Sequence, residues 1–199
     1  MFDTSNLSFV NALRKMALVT LNLQVDEPRS DFLAITAGIQ KLVVDTPMTA
    51  SLRELTLEGM GLSSLPECLR PLRLTSLSLN TNFTLTDLPE WLGDMPLVTL
   101  SLVNTGIAKL PQSFNLNFTL RCIDLMYSEI CRSDMTTTEN VETIHRELRP
   151  LSRNQPAIRF RLAFGGKRES GDLGSASEWD GWWSAESEPA LLTDFVWYH

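Results

Sequence analysis

The chain has 199 residues, 43% of them hydrophobic and 21% charged, with a formal net charge of −7 at neutral pH. That length suits one domain with a sizeable core, and the composition excludes both disorder throughout and a fibrous repeat. The acidic balance argues against a nucleic-acid surface, which needs clustered Lys and Arg to replace phosphate counterions.

The averages hide two compositions. Leucine is the most abundant residue, and most of it falls between Leu52 and Leu125. Residues 165–199 hold seven acidic residues against Lys167 and Arg168, so −5 of the net charge lies there, with four of the five tryptophans.

In chain order, Leu7, Val10, Leu13 and Met16 recur every third residue and predict an amphipathic N-terminal helical cap over residues 1–17. Leu18-Val-Thr-Leu21-Asn-Leu23 predicts a strand. Ser30 or Asp31 is placed to cap a short helix ending near Gly38. Ile39-Gln-Lys-Leu42-Val-Val44 fits the same strand template and is expected to form a truncated repeat.

The central segment repeats itself. Leu52-Arg-Glu-Leu55-Thr-Leu57 is followed by Leu74-Thr-Ser-Leu77-Ser-Leu79, Leu97-Val-Thr-Leu100-Ser-Leu102 and Leu120-Arg-Cys-Ile123-Asp-Leu125, at intervals of 22, 23 and 23 along the chain. The first three carry a second apolar set at matching offsets: Leu62 and Leu65-Pro66, Leu85 and Leu88-Pro89, Ile107 and Leu110-Pro111. In L-x-x-L-x-L the last two leucines lie two apart, on one face of a short strand. The Leu-Pro pieces suit a helical or 3₁₀ turn, because proline is tolerated at a helix start.

This pattern resembles the leucine-rich repeat family, firmly over residues 52–130 and loosely over 18–51. Its flavour is similar to the repeats of bacterial effectors and plant disease-resistance proteins. The resemblance implies an α/β leucine-rich-repeat solenoid over residues 18–134, with short parallel concave strands and an irregular or short-helical convex side. The family usually places Asn or Cys at the ninth position to bond neighbouring coils. Here that position reads Met60, Asn82, Thr105 and Ser128, so Met60 leaves the polar ladder incomplete.

Residues 135–164 are expected to form a C-terminal cap. Thr136-Thr-Thr-Glu139 has capping-box spacing, and Val141, Ile144, Leu148 and Leu151 form a helical stripe whose length Pro150 is expected to limit. Ile158, Phe160, Leu162 and Phe164 alternate with Arg159 and Arg161, predicting a terminal or edge strand. The tail, 165–199, interleaves acids with large apolar residues (Trp179-Asp-Gly-Trp182-Trp183). That composition fits a disordered segment binding a second partner; the alternatives are packing back on the solenoid and a fragment of a larger domain.

Cys68, Cys122 and Cys131 form neither a disulfide framework nor a zinc pattern, which fits a reducing compartment. The N-terminus lacks a clean signal-peptide pattern and no uninterrupted apolar run is long enough for a bilayer, so no membrane span is expected. A cytoplasmic location is expected, with delivery into a host cell by a specialised secretion route as the alternative. The sequons at Asn6, Asn82 and Asn117 are no more numerous than chance gives.

Chemistry is sparse. His145 adjoins the capping-helix stripe and reads as an ordinary packed or half-exposed histidine. Cys122-Ile-Asp124 matches the Cys-x-Asp arrangement of the bacterial leucine-rich-repeat ubiquitin ligases, but it lies in a repeat strand rather than a separate helical domain. No phosphate loop, HExxH or G-x-S-x-G occurs, so no catalytic, cofactor or metal residues are assigned. The resemblance points to the concave face: Glu54, Thr56, Glu58, Ser76, Ser78, Asn80, Thr99, Ser101, Val103, Asp124 and Met126. Cys122, Thr20, Asn22 and Gln24, and Lys41, Val43 and Asp45, extend the same outward positions. The expected function is non-catalytic binding of a protein partner. The alternatives are a truncated or substrate-recognition part of a bacterial leucine-rich-repeat ubiquitin ligase effector, or a structural subunit of a larger assembly.

Overall fold

Leucines two residues apart, separated by small polar residues, make a strand with one apolar and one polar face. In the computed structural model, which describes residues 11–24, 32–132, 138–155, 157–164 and 179–184, each such piece is a strand. Among these residues β1 (Thr20–Gln24), β2 (Glu54–Glu58), β3 (Ser76–Ser78), β4 (Thr99–Ser101), β5 (Cys122–Asp124), β6 (Arg159–Phe164) and β7 (Trp179–Ser184) lie side by side in chain order. β1 to β6 are all parallel, and β7 joins β6 antiparallel. The architecture is α/β, a parallel-strand repeat.

The register puts like residues in rows. Leu21, Leu55, Leu77, Leu100, Ile123 and Phe160 are successive partners and are buried. Behind them Leu57, Leu62, Leu74, Leu79, Leu85, Leu97, Leu102 and Ile107 complete one continuous core.

Between the central strands the chain returns through 3₁₀ turns at Glu67–Leu69, Glu90–Asp94 and Gln112–Leu116, each entered from a proline. Pro66, Pro89 and Pro111 hold φ at −64°, −70° and −56°, the value their ring imposes. Successive turns touch: the Glu90 carboxylate accepts the amides of Gln112 (3.2 Å) and Ser113 (2.8 Å), and Trp91 Nε1 donates to Glu67 Oε1 (2.9 Å). The two amides, Ser113 first, hold the Glu90 carboxyl below its ordinary pKa. Gly93 lies so close to Ser113 that no Cβ fits there.

Each coil leaves its strand through a left-handed residue at the same place: Gly59 (φ 64°), Thr81 (61°), Asn104 (59°) and Tyr127 (56°). The next residue is the ninth repeat position. Asn82 is fully buried there; its Nδ2 donates to Leu57 O (2.8 Å) and Leu79 O (2.7 Å), and its Oδ1 accepts Leu62 N (3.0 Å). It joins two coils. Thr105 and Ser128 bond within their own coils, to Leu102 O (2.8 Å) and Leu125 O (2.6 Å). Buried Met60 interrupts the polar series. The outer part of the coils holds a second polar station that the repeat pattern does not announce: Asn117 Nδ2 reaches Met95 O (2.8 Å) and Thr119 Oγ1 reaches Leu97 O (2.8 Å). Asn82 and Asn117 are both buried, so neither sequon presents an acceptor at the surface.

The flanks depart from expectation in three ways. Helix α1 (Phe32–Val43) runs through Gly38 and absorbs the segment expected as a truncated-repeat strand. Ile35, Ile39, Leu42 and Val43 have helical spacing as well as strand-template spacing, and the helix buries the last three. Thr46 Oγ1 closes the helix end by donating to Leu42 O (2.9 Å) and Val43 O (3.0 Å). Short α2 (Met48–Ser51) follows, and Ser51 Oγ donates to Leu18 O (2.7 Å).

Downstream, α3 (Glu129–Arg132) precedes α4 (Thr138–Asn154), which continues past Pro150 instead of stopping near it. Proline removes the bond to the carbonyl of Arg146, but both residues are exposed, so water can satisfy that carbonyl. Ile144, Leu148 and Leu151 are buried, and Gln155 Nε2 donates to Phe114 O (3.0 Å). α4 thus packs on the last 3₁₀ turn and fills the outer layer between β5 and β6.

Finally, β6 is an interior strand rather than an edge, because Trp179–Ser184 of the tail pairs with it as β7. That replaces disorder with a sixth strand pairing for those residues. Residues 1–10 of the expected N-terminal cap and the capping-box residue Thr136 lie outside the described residues.

Candidate functional site

Each strand alternates, and what it does not bury it presents on one open sheet face. Two rows are fixed by the strand register. One runs Thr20, Glu54, Ser76, Thr99, Cys122, Arg159; the next runs Asn22, Thr56, Ser78, Ser101, Asp124, Arg161. Two residues further on stand Gln24, Glu58, Asn80, Val103 and Met126, tied by the bonds Gly59 N to Asn80 O (3.0 Å), Thr81 N to Val103 O (2.9 Å) and Asn104 N to Met126 O (2.9 Å). All eleven residues expected on the concave face therefore lie in three adjacent rows of one surface. All are exposed or half-buried.

Lys41, Val43 and Asp45 do not join them. Lys41 and Val43 sit in α1, with Val43 buried, and Asp45 lies in the turn beyond it. The strand template misplaced them because the helix claims the same leucine spacing.

Several side chains of the face are spent on one another. Thr99 Oγ1 donates to Ser76 Oγ (2.9 Å), while Asn80 Oδ1 accepts both Ser101 Oγ (2.7 Å) and Val103 N (3.0 Å). These bonds cross strands and stiffen the middle of the face. At the β1–β2 end, Thr20 Oγ1 donates to Glu54 Oε2 and Gln24 Nε2 to Glu58 Oε2, each at 3.0 Å. Both carboxylates are thereby held in place at the acidic end.

Sequence reasoning left out the other end. β6 continues the rows with Arg159 beside Cys122 and Arg161 beside Asp124. Arg161 Nη1 lies 3.6 Å from Asp124 Oδ2, and Asp124 Oδ1 also accepts Met126 N (3.1 Å). The outward position of the two arginines was legible in the alternation. Their neighbours were not, since β6 begins only at Arg159, far along the chain from the end of β5 at Asp124.

Cys122 stands in this row beside Asp124. Burial, then the Asp124 carboxylate, push its thiol up, outweighing Arg161 and Arg159. Such a thiol is mostly protonated at neutral pH and is a poor nucleophile. Cys68, in the outer layer, is likewise pushed up by burial. Among the described residues no three potential metal ligands converge, and no helix is long and apolar enough to cross a membrane. His145 lies within α4, but its side chain is outside the described set.

No known family model matches the chain, and no curated protein matches its sequence.

Proposed function

We propose that the chain is a leucine-rich-repeat module that binds a protein partner through its open sheet face and performs no catalysis. The observation that carries this reading is the division of the sheet. One face is a continuous apolar core, whereas the other is an array of mostly small polar side chains with carboxylates at the β2 end and arginines at the β6 end. Ser76, Ser78, Thr99 and Ser101 let another backbone come close, and interstrand bonds fix Ser76, Thr99 and Ser101 beforehand, which lowers the ordering entropy of binding. Repeat solenoids of this kind commonly bind through their strand face.

Within this reading, α4 and the β6 segment act as the C-terminal cap and residues 1–17 as the N-terminal one. The ubiquitin-ligase alternative needs an activated cysteine; the raised Cys122 thiol, set in a strand, favours the non-catalytic reading instead. Affinity capture with the intact chain and with the double variant Glu54→Lys/Glu58→Lys tests the placement. A partner retained by the intact chain and lost by the variant is expected. Equal retention by two equally folded proteins would move the binding surface elsewhere.

A further inference from the structure

The open face is electrostatically two-ended, and its two ends are placed symmetrically. Glu54 and Glu58 stand on β2 and Arg159 and Arg161 on β6, each two strands from β4. Strands lie roughly 4.8 Å apart, so about 19 Å separates the acidic from the basic end. Between them lie the small side chains of Ser76, Ser78, Thr99 and Ser101, with the larger Asn80, Val103 and Met126 in the third row.

A surface negative on one side and positive on the other, symmetric about its middle, is complementary to itself. We propose that this face pairs with the same face of a second copy of the chain, about a two-fold axis running along β4. This rests on reading the open face as a protein-binding surface and names its occupant.

The register then dictates the contacts. Rotation about β4 carries β2 of one copy over β6 of the other. Glu54 meets Arg159 of the second copy, and Thr56 meets Arg161 of the second copy, with Glu58 alongside. Ser78 faces Asp124 of the second copy as a hydroxyl donor to a carboxylate, and Thr99 and Ser101 face their own counterparts on the axis. Every pairing off the axis occurs twice. Arg161 already serves Asp124 within its own chain, so the pair of Glu54 with Arg159 dominates. Arg159 is exposed, as is Glu54.

Size sets the strength. The strands that overlap about this axis, β2 to β6, span about 19 Å and the rows about 10–17 Å, giving roughly 190–320 Å² per copy. That is below the standard size of a specific interface and makes a weak, reversible dimer. The net charge of −7, of which residues 165–199 carry −5, opposes it. At about 0.1 M salt the Debye length is near 10 Å, so long-range repulsion is damped while contact pairs persist.

The test is the association of the full-length chain by sedimentation equilibrium, from micromolar to millimolar, in moderate and in high salt. Wild type is expected to approach dimer mass at high concentration and to dissociate in high salt. Glu54→Lys and Arg159→Glu are each expected to weaken association about tenfold. The double variant, and an equimolar mixture of the two single variants, place opposite charges together again and are expected to recover wild-type association. Thermal melts of each variant establish that the fold is kept. A chain monomeric throughout, or single variants whose defect the double variant does not repair, would overturn the proposal. Capture of another protein that still depends on Glu54 and Glu58, by a chain that stays monomeric, would leave the binding-face reading standing without it. A chain that neither associates nor captures a partner through the face would end both.

Discussion

Between Leu52 and Leu125 the sheet is built by a nearly constant period, whereas at its flanks the same sheet is built by different means. The connections that join β2 to β5 are close to one another in length, and each carries one 3₁₀ turn. From β1 to β2 the chain takes a longer path with two helices, and from β5 to β6 one longer still with two more. Yet Leu21 still pairs with Leu55 and Ile123 with Phe160, as Leu77 pairs with Leu100. A parallel pair needs only a crossover long enough to return the chain. What the sheet enforces is the apolar row, and the outer layer is free to be a single 3₁₀ turn such as Glu67–Leu69 or a helix as long as α4.

The two regions are also stitched differently, and the largest expected effect comes from that difference. In the centre, Asn82 bonds one carbonyl and one amide of the preceding coil and one carbonyl of its own from a fully buried position. Its replacement by Ala strands those backbone groups, and each unsatisfied buried group costs about 1–3 kcal/mol. Asn82→Ala is therefore expected to lose roughly 3 kcal/mol in urea unfolding. At the N-terminal flank, Ser51 makes a single half-buried bond to Leu18 O. Ser51→Ala is expected to lose about 1 kcal/mol. Equal losses would show that the periodic stitching gives the centre no special role.

How much of this was legible depends on whether a local pattern had a competitor. The central strands were readable because Leu-x-Leu between turn residues admits no helix. Ile39–Val44 was misread because Ile39, Leu42 and Val43 satisfy helical spacing equally well, and the preceding residues 32–38 supply the length a helix needs. For the open sheet face, all eleven expected residues lie together, since the period fixes outward positions as firmly as inward ones. Arg159 and Arg161 were missed as members because their row is set by long-range pairing with β5. Similarly, Trp179-Asp-Gly-Trp182-Trp183 read as an interaction tail since its partner strand lies outside it in sequence. Asn117 left only a sequon, although its amide stitches two coils.

A subtler feature of the centre is the left-handed residue that ends each strand. Glycine fills it in the first coil, but Thr81 is β-branched, and a non-glycine residue there carries roughly 1–2 kcal/mol of strain. Thr81 N still donates to Val103 O, so the backbone conformation is fixed by its neighbours. Glycine would keep that bond and relieve the strain, at some gain of entropy in the unfolded chain. Thr81→Gly is expected to stabilise by about 1 kcal/mol, a rise of roughly 2–4 °C in Tm by calorimetry. Gly59→Thr, the reverse change one coil earlier, is expected to lower Tm by a similar amount. Should Thr81→Gly lower Tm instead, the Thr81 side chain must contribute packing that outweighs its backbone strain.

The outer layer offers the smallest effect and the one with a pH signature. Glu90 joins two turns by accepting the Ser113 and Gln112 amides, and these hold its carboxyl below the ordinary range. A carboxyl whose pKa is lower folded than unfolded stabilises above the unfolded value, near 4.3 for glutamate, and loses that stabilisation as pH falls through the lower folded value. Glu90 is exposed, so water screens most of the interaction and the effect falls below that of Thr81→Gly. Glu90→Gln keeps an acceptor but no charge. It is expected to melt slightly below wild type at neutral pH, with the gap closing as the buffer is taken below the folded pKa of Glu90. Because the carboxylate and both amides belong to successive periodic turns, this closing gap reports on the centre and not on the flanking helices. A gap unchanged from pH 7 to 3 would mean that the turn is held by shape, with the carboxylate charge contributing nothing.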